Sequence, residues 1–399
     1  MSAQPHSIHL PAPEKLEPSK FGLTYIFAIL SLVGLLLSVL GAIFDTAQFA
    51  YSWFYAFYFF FTIAMGAFFW VTLHHACDSA WSVLVRRVWE NILALFPIFI
   101  ILFIPLLLPG ISQVLWKWMG LDAGDPELAK RALYLNGGFF FIRVIVYFGF
   151  FVCAGLYFRS RSVEQDYNGN PVLTRNMNQH SYMALVIFGV LETFVGIDWL
   201  MGLDWRWSSS LFGVYNFTIC AQAGMAAAIV LVALFRRAGF LRAMNAEHFY
   251  LMGKLLFGFT IFWAYIAFGQ YLLIWYGNIP EETIFYNNHN RGYWYLLTYL
   301  IVVGKFMVPA IYLLAQDVKK SLRGLTTVAV WVLIMHGVEL YWFIMPYAHI
   351  KSIVPSWQDF AAFLTIGSIL GFFYLRVCST ASLFPTRDPR LVECLTITN

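Results

Sequence analysis

Long apolar runs alternate with short polar segments along almost the whole chain. Ten of these runs are long enough to cross, as helices, a hydrocarbon core about 30 Å thick. Their predicted bounds are 22–44, 54–77, 91–109, 134–158, 181–203, 211–235, 249–276, 292–316, 325–345 and 358–377. The pattern therefore predicts an all-α integral membrane domain over 22–377, polar tails over 1–21 and 378–399, and no soluble domain.

The composition agrees with a membrane environment. Hydrophobic residues make up 60% of the 399 residues and charged residues only 12%, whereas about a quarter of the residues in soluble proteins are charged. Aromatic residues reach 19%, and aromatic rings anchor helices at membrane interfaces. The first residues lack the basic stretch, apolar core and cleavage site of a signal peptide, so none is expected.

The distribution of Lys and Arg predicts the orientation of the helices. Most of the 25 Lys and Arg residues fall in the predicted loops on the side that holds both tails. Cytoplasmic loops of membrane proteins carry such an excess of basic residues. Both tails are therefore expected in the cytoplasm, with the chain in the inner membrane of a bacterium.

A short internal repeat predicts how the helices are grouped. The tetrapeptide Gly196-Ile197-Asp198-Trp199 of the fifth run resembles Gly337-Val338-Glu339-Leu340 of the ninth run. An offset of four runs fits two consecutive four-helix bundles in parallel repeat. The predicted bundles are runs two to five, about 54–203, and runs six to nine, about 211–345, flanked by the first and tenth runs.

Several ionisable residues lie within the apolar runs. A charge at the centre of a membrane helix costs about 2.5–3.5 kcal/mol, so such residues usually face a cavity or a partner. Acids, bases and imidazoles spread across the bilayer are typical of a proton relay. The candidates for a proton path are Glu192, Lys305, His336, Glu339, Asp198, Lys254, His74, His75, Asp78 and Arg143.

Alternative interpretations apply to individual candidates. Lys254 could extend its ammonium group to the interface, and His74 and His75 could be interfacial residues bonded to loops. The pair of histidines with Asp78 could in principle hold a metal, although adjacent histidines on a helix diverge by about 100°. Glu192, Lys305, His336 and Glu339 bear most of the proton hypothesis because they are predicted near mid-membrane; ion pairs that only hold helices together are the alternative for them.

The sequence contains no motif for a bound redox cofactor. The cysteines are isolated, without a CxxCH motif or clustered spacing for iron–sulfur or zinc. His336 is the only histidine predicted near mid-membrane, whereas bis-histidine haem ligation across a membrane needs facing imidazoles. The chain is therefore expected to bind no metal and no cofactor of its own, and no residue is predicted to be catalytic.

Several segments resemble one family of membrane proteins. They are HHACDSAWSVLVRRVWE (74–90), GIDWLMGLDWRWSSSLFGVYNF (196–217), GKLLFGFTIFWAYIAFGQYLLIWYGNIPEET (253–283), VVGKFMVPAIYLLAQDVKK (302–320) and WVLIMHGVELYWFIMP (331–346). These segments resemble the NrfD-like, or polysulfide-reductase-type, membrane subunits of bacterial alternative complex III. The length and short loops resemble the smaller of its two such subunits.

The resemblance implies a place in a quinol:cytochrome c, or quinol:electron acceptor, oxidoreductase of respiratory or photosynthetic electron transfer. The expected partners are a larger NrfD-like homologue, an iron–sulfur subunit, multihaem and monohaem cytochrome c subunits, membrane lipid and a terminal oxidase. Quinol or menaquinol, iron–sulfur clusters and haem c are expected in those partners, and no nucleic acid is expected. The chain itself would contribute assembly and a proton pathway.

The motif residues that the resemblance carries over are Asp198, Asp204, Lys254, Glu281, Glu282, Lys305, His336 and Glu339. Two other functions remain open at this stage. A secondary transporter of a small solute shares internal repeats and buried charges, and a structural scaffold shares the buried charges alone.

Overall fold

The computed structural model describes residues 10–17, 22–121 and 125–397, and over these residues it is helical without any strand. Within these described ranges, ten helices are long and apolar enough to cross a membrane, which confirms the predicted fold class. We number them α1 (Leu23–Phe44), α2 (Thr46–Ala76), α3 (Val83–Leu107), α4 (Gly137–Asn168), α5 (Pro171–Asp204), α6 (Phe212–Arg237), α7 (Ala246–Gly277), α8 (Gly292–Leu314), α9 (Leu322–Tyr347) and α10 (Trp357–Cys378).

Polar caps set the starts of several helices. The Asp45 side chain accepts a hydrogen bond from the Gln48 amide at 3.0 Å and begins α2 eight residues before the predicted start. Asn245 and Ser356 begin α7 and α10 through capping boxes. Such caps satisfy amide groups that a helix leaves unpaired in its first turn. Hydropathy alone misses these turns because their residues are polar.

Eight of these ten helices, α2–α9, form two rings of four, and α1 and α10 flank them. In the first bundle α2 packs on α3 and α5, and α4 closes the ring; in the second bundle α6 packs on α7 and α9, and α8 closes the ring. The first helix of each bundle, α2 or α6, lies at the interface between the bundles. α1 packs on α10, and α10 packs on α2. The arrangement agrees with the predicted grouping.

Two glycines bring α2 and α6 into direct backbone contact. A Cβ atom on Gly66 would lie 1.9 Å from the carbonyl oxygen of Cys220, and one on Gly224 would lie 2.6 Å from the carbonyl carbon of Gly66. Neither contact can be relieved by turning a side chain, because both neighbours are backbone atoms. The two bundles therefore depend on these glycines for their close approach.

We expect Gly66→Ala and Gly224→Ala each to lower the stability of the protein by about 1–3 kcal/mol, the usual cost of overpacking a core. The measurement is thermal unfolding in detergent, followed by circular dichroism. Gly258→Ala in α7 is the matched control, since a Cβ atom there meets nothing within 4 Å. Equal melting temperatures for Gly66→Ala and Gly258→Ala would contradict this account of the interface.

Segments from both ends of the chain pack on the same end of the bundles. The Leu383 amide donates to the carbonyl oxygen of Glu14 at 2.7 Å, and the Leu241 amide donates to the Glu14 carboxylate. We call this end the terminal face. We call the opposite end the far face; it carries the segments 108–121, 125–136, 205–211, 278–291 and 348–356.

Candidate functional site

A fully buried ion pair occupies the second bundle. Lys305 of α8 donates to the Glu339 carboxylate of α9, and both side chains are 0% exposed. The other carboxylate oxygen of Glu339 accepts from the Tyr215 hydroxyl at 3.0 Å and from the Trp263 indole at 2.7 Å. Three donors from three other helices therefore hold one carboxylate, as burial of a charge requires.

A short π-helical turn positions the lysine. Residues Val302–Met307 of α8 form this turn, and the Trp331 indole donates to the Gly304 carbonyl oxygen at 2.7 Å. π-Helical turns are uncommon and often occur at functional sites. The extra residue in this turn changes the directions in which nearby side chains point, compared with a regular α-helix.

The first bundle contains a comparable pair. Arg143 of α4 donates to the Asp198 carboxylate of α5 from Nε at 2.6 Å and from Nη2 at 3.0 Å. Asp198 also accepts from the hydroxyl groups of Tyr147 at 2.5 Å and Tyr134 at 2.7 Å. Asp198 lies in a π-helical turn, Gly196–Leu200.

The two ion pairs occupy related positions in the two bundles. In each bundle the third helix supplies the cation and the fourth helix supplies the acid. The two acids, Asp198 and Glu339, are the matched residues of the short internal repeat. Spacing in the sequence left open which charges pair; the structure assigns Arg143 to Asp198 and Lys305 to Glu339.

Glu192 lies between the two bundles without a cation. It is 1% exposed, and its carboxylate accepts from the Asn216 side-chain amide of α6 at 2.7 Å. The Asn216 oxygen in turn accepts from the Tyr58 hydroxyl of α2 at 2.8 Å. Among the described residues, no Lys, Arg or His forms a salt bridge with Glu192.

His336 lies at the other side of the same interface. Its Nε2 atom lies 2.9 Å from the Thr62 hydroxyl of α2, one helical turn from Tyr58. Its Nδ1 atom is buried without a hydrogen-bond partner in the described part of the chain. His336 and Glu339 are three residues apart on α9 and therefore share a face of that helix.

A cavity of about 440 Å³ leads from the far face to Asp198. Its wall includes Lys130, Arg131, Tyr134 and Trp205. Arg131 donates to the Trp205 carbonyl oxygen, which ties the loop before α4 to the loop after α5. Asp198 therefore borders a cavity that opens at the far face.

We give the name polar line to a set of polar groups that lie between this cavity and the second bundle, all buried except the half-buried Tyr134. Its members are Arg143, Asp198, Tyr134, Tyr147, Glu192, Asn216, Tyr58, Thr62, His336, Lys305, Glu339, Tyr215 and Trp263.

A separate network of charges lies at the terminal face. Arg86, Arg87 and Glu90 of α3 are each 0% exposed. Arg86 pairs with Glu90 at 3.0 Å and with Asp388 at 2.5 Å, whereas Arg87 pairs with Glu90 at 2.8 Å and with Asp166 at 2.9 Å. The sequence prediction had placed both arginines in a loop, and this was wrong because α3 begins at Val83.

Asp388 attaches the C-terminal segment to this network. Burial opposes ionisation of its carboxyl group, but the guanidinium groups of Arg86 and Arg390 outweigh burial and hold its pKa well below the usual range. A carboxyl with a lowered pKa stabilises the folded state above its unfolded pKa of about 3.9 and loses this effect as the pH falls further. The Asp388 carboxylate therefore keeps the C-terminal segment attached to Arg86 throughout the neutral pH range.

The predicted histidines of α2 belong to the terminal face. The His74 Nδ1 atom lies 2.6 Å from the Trp70 carbonyl oxygen of its own helix. His75 Nδ1 lies 3.2 Å from the Asn178 side-chain oxygen, and Asn178 donates to Asp78 at 2.9 Å. Asp78 is exposed and pairs with Arg390 at 2.5 Å.

An aromatic layer separates the terminal face from the polar line. Phe69, Phe188, Phe217 and Phe259 contact one another, with ring centroids 4.8–6.3 Å apart. No hydrogen bond between described side chains links the histidines to the Tyr58 and Thr62 end of α2. The candidates for a proton path therefore include two separate groups, one at the terminal face and one in the polar line.

Lys254 lies outside the packed interior, in agreement with the alternative interpretation of this candidate. Its side chain is exposed on α7, and Nζ lies 4.6 Å from the centre of the Tyr250 ring. The long side chain keeps its ammonium group outside the packed interior, as lysines near the ends of membrane helices commonly do. It does not join the polar line.

No family model and no curated protein matches the chain. The NrfD-like resemblance therefore stays a prediction from the motifs. Among the described residues, no three His, Cys, Asp or Glu side chains form a group that could hold a metal ion.

Sequence reasoning missed most of the neutral members of the polar line. Tyr58, Thr62, Asn216 and Tyr215 are buried on α2 or α6, and only the fold reveals that they face the acids. Their spacing is a usable signal, because Tyr58 and Thr62 are four residues apart and share a helix face. Neutral polar residues within apolar runs merit the same attention as charges.

Proposed function

We propose that this chain is a non-redox membrane subunit of a quinol:cytochrome c, or quinol:electron acceptor, oxidoreductase and that its two bundles guide protons. The observation that carries the proposal is the polar line, a series of separate hydrogen-bonded clusters of acid, base and hydroxyl groups in both bundles and at the interface between them. The sequence segments that resemble NrfD-like subunits support the choice of complex.

The side chains of the polar line have chemistry suited to proton transfer. Carboxyl and imidazole groups gain and release protons, and hydroxyl groups both donate and accept hydrogen bonds. Asn216 orients the Glu192 carboxylate by donating to it at 2.7 Å. Tyr58 and Thr62 on α2, and His336 and Glu339 on α9, are about one helical turn apart on the same helix face. In the proposed path, water molecules link these groups and also link Glu192 to Asp198, six residues further along α5.

The two sides of the membrane have different access to the polar line. The far-face cavity gives Asp198 contact with one side of the membrane. The aromatic layer between Thr62 and His75 blocks the other side, which a proton-coupled protein needs in its resting state because an open path would dissipate the gradient. We assign opening of this layer to conformational change driven by the redox partners.

The proposed partners are those that the resemblance implies. They are a larger homologous membrane subunit, where quinol is oxidised, an iron–sulfur subunit and cytochrome c subunits that carry the electrons. The excess of Lys and Arg on the terminal face supports a cytoplasmic location for this face. The chain would then lie in a bacterial inner membrane with the far-face cavity directed outward.

Affinity purification tests this assignment. The tag belongs at the N-terminus, because Cys394 near the other end is fully buried. We expect haem c absorbance, iron–sulfur signals and a second, larger membrane protein to elute with the chain after mild detergent extraction. The control is an unrelated tagged membrane protein from the same cells. Elution of the chain alone or as a homo-oligomer would instead favour a secondary transporter.

A further inference from the structure

Three lysine side chains converge on one tyrosine ring at the terminal face. Their Nζ atoms lie 4.6–5.5 Å from the centre of the Tyr250 ring, and the residues are Lys254, Lys319 and Lys320. Tyr250 and Lys254 belong to α7, whereas the other two lysines belong to a short helix, Gln316–Lys320, between α8 and α9. We call these three residues the lysine cluster.

A glycine on α7 provides the groove that holds Lys319. A Cβ atom on Gly253 would lie 2.8 Å from Cγ and 3.0 Å from Cβ of Lys319, so this side chain crosses α7 where the helix has no side chain. Its Nζ atom lies 5.5 and 5.6 Å from the centres of the Tyr250 and Phe257 rings, on either side of the glycine in the sequence. Lys319 is only 8% exposed, and the groove therefore fixes its position.

The ammonium group of Lys319 has no acid to neutralise it. Among the described residues it forms no salt bridge, and neither does Lys254. Lys320 pairs with Glu247 at 2.9 Å, and the exposed Asp317 pairs with none of the three lysines. A charge that is largely removed from water requires a partner. The cluster therefore presents two ammonium groups that await an anion.

The lysine cluster lies at the depth of lipid headgroups. The short helix of Lys319 and Lys320 lies between the membrane-spanning segments α8 and α9, outside both. Lys254 is eight residues into α7, about 12 Å along the helix axis, and a lysine at such a depth extends its ammonium group toward the interface. All three ammonium groups are thus placed where the hydrocarbon of the bilayer ends.

The helices beside the lysine cluster offer an apolar surface for acyl chains. Toward the middle of the membrane, Ile261 of α7 is 42% exposed, and Ile311 and Leu314 of α8 are 68% and 65% exposed. These two helices pack on each other. A lipid whose headgroup is held by the lysines would lay its acyl chains along this surface, which a soluble phosphate ester would leave uncovered.

We propose that the lysine cluster binds the phosphate group of an anionic phospholipid, with Lys254 and Lys319 as its direct ligands. Lysine binds phosphate as a point charge, and basic groups between membrane helices on the cytoplasmic side are typical of sites for acidic headgroups. A zwitterionic lipid carries the same phosphate, but the lysines would repel its own ammonium group. The site should therefore prefer a lipid with net negative charge.

Native mass spectrometry of the purified full-length chain in a neutral detergent tests the site. The probes are dioleoylphosphatidylglycerol and dioleoylphosphatidylcholine, which have the same acyl chains. We expect the anionic lipid to bind more tightly, with its dissociation constant raised about fivefold by Lys319→Met and by Lys254→Met, the effect of one cation near an anionic lipid. The double variant should lose the preference. Arg237→Gln removes an exposed cation elsewhere on the terminal face and is the matched control, which should bind like the unaltered chain.

Gly253→Ala tests the groove and leaves every charge in place. The added Cβ atom would occupy the space of the Lys319 stem, so we expect part of the preference for the anionic lipid to be lost. Circular dichroism shows whether the variant is folded. An unchanged preference in the folded variant would overturn the site as described, because Lys319 would then need no fixed position.

Three other results would also overturn the proposal. An unchanged preference in the double lysine variant would exclude the cluster, and an equal loss in Arg237→Gln and Lys319→Met would assign the preference to the overall charge of the terminal face. Displacement of the lipid by glycerophosphoglycerol, its deacylated headgroup, at equal concentration would assign the cluster to a soluble phosphate ester. Since the chain is assayed without partners, these results are independent of the co-purification that tests the proposed function.

Discussion

Glu339→Gln is expected to destabilise the protein by about 3–5 kcal/mol, the usual cost of removing one partner of a buried ion pair. The substitution leaves the Lys305 ammonium group fully buried without its carboxylate. The Tyr215 and Trp263 donors can still bond a glutamine oxygen, so the loss comes mainly from the uncompensated charge. Unfolding in detergent followed by circular dichroism measures it.

The double variant Lys305→Met with Glu339→Gln is expected to recover most of this loss, because it removes both charges. Glu164→Gln is the matched control, since Glu164 pairs with Arg161 at the surface, where both side chains are nearly half exposed, and such pairs contribute about 0–1 kcal/mol. Equal stability of Glu339→Gln and Glu164→Gln would contradict the ion pair as described.

The same double variant separates a proton path from a scaffold. A scaffold role predicts that a stable neutral pair leaves coupling between quinol oxidation and proton movement intact. A proton path predicts that coupling is lost even though the fold is restored. Reconstituted complex with a pH-sensitive dye inside the vesicles distinguishes the two outcomes.

Asp198→Asn is expected to lower stability by about 1.5–3 kcal/mol, the range for hydrogen bonds to charged groups. It leaves Arg143 without its acid and weakens the acceptor of the Tyr134 and Tyr147 hydroxyls. The expected loss is smaller than for Glu339 because the far-face cavity adjoins Asp198. The measurement is the same unfolding experiment.

Arg143→Met combined with Asp198→Asn should again recover stability, since the unpaired cation is removed. The pair in the first bundle then behaves like its counterpart in the second. A larger loss in the double variant than in Asp198→Asn alone would show that Arg143 stabilises the bundle through its contact with the Tyr134 ring, 4.1 Å away.

The sequence predicted the ten helices because lipid imposes a simple rule: a helix must be apolar for the thickness of the membrane. The same rule failed at helix ends whose polar residues are buried and paired inside the protein. Hydropathy placed Arg86 and Arg87 in a loop. Inside the fold, their charges are neutralised by three acids: Glu90, Asp166 and Asp388. Only one of these partners is close in sequence.

The site was predicted in part. The positions of four residues along the apolar runs predicted that they lie near mid-membrane, and the structure buries all four: Glu192, Lys305, His336 and Glu339. These positions could not identify partners, because pairing depends on how helices face one another. They also could not exclude Lys254, because a lysine near a helix end can lie on either side of its own helix. The π-helical turns at Asp198 and Lys305 left no signature that periodicity detects.

Glu192 provides the most direct test of the proposed proton path. It forms no salt bridge among the described residues, so Glu192→Gln removes an ionisable group without leaving an unpaired charge, and Gln can still accept from Asn216. The measurement is the number of protons moved per electron by the purified complex in vesicles, with Glu164→Gln as control. The account predicts retained quinol oxidation with the proton-to-electron ratio reduced at least by half; an unchanged ratio in a folded, fully assembled complex would contradict it.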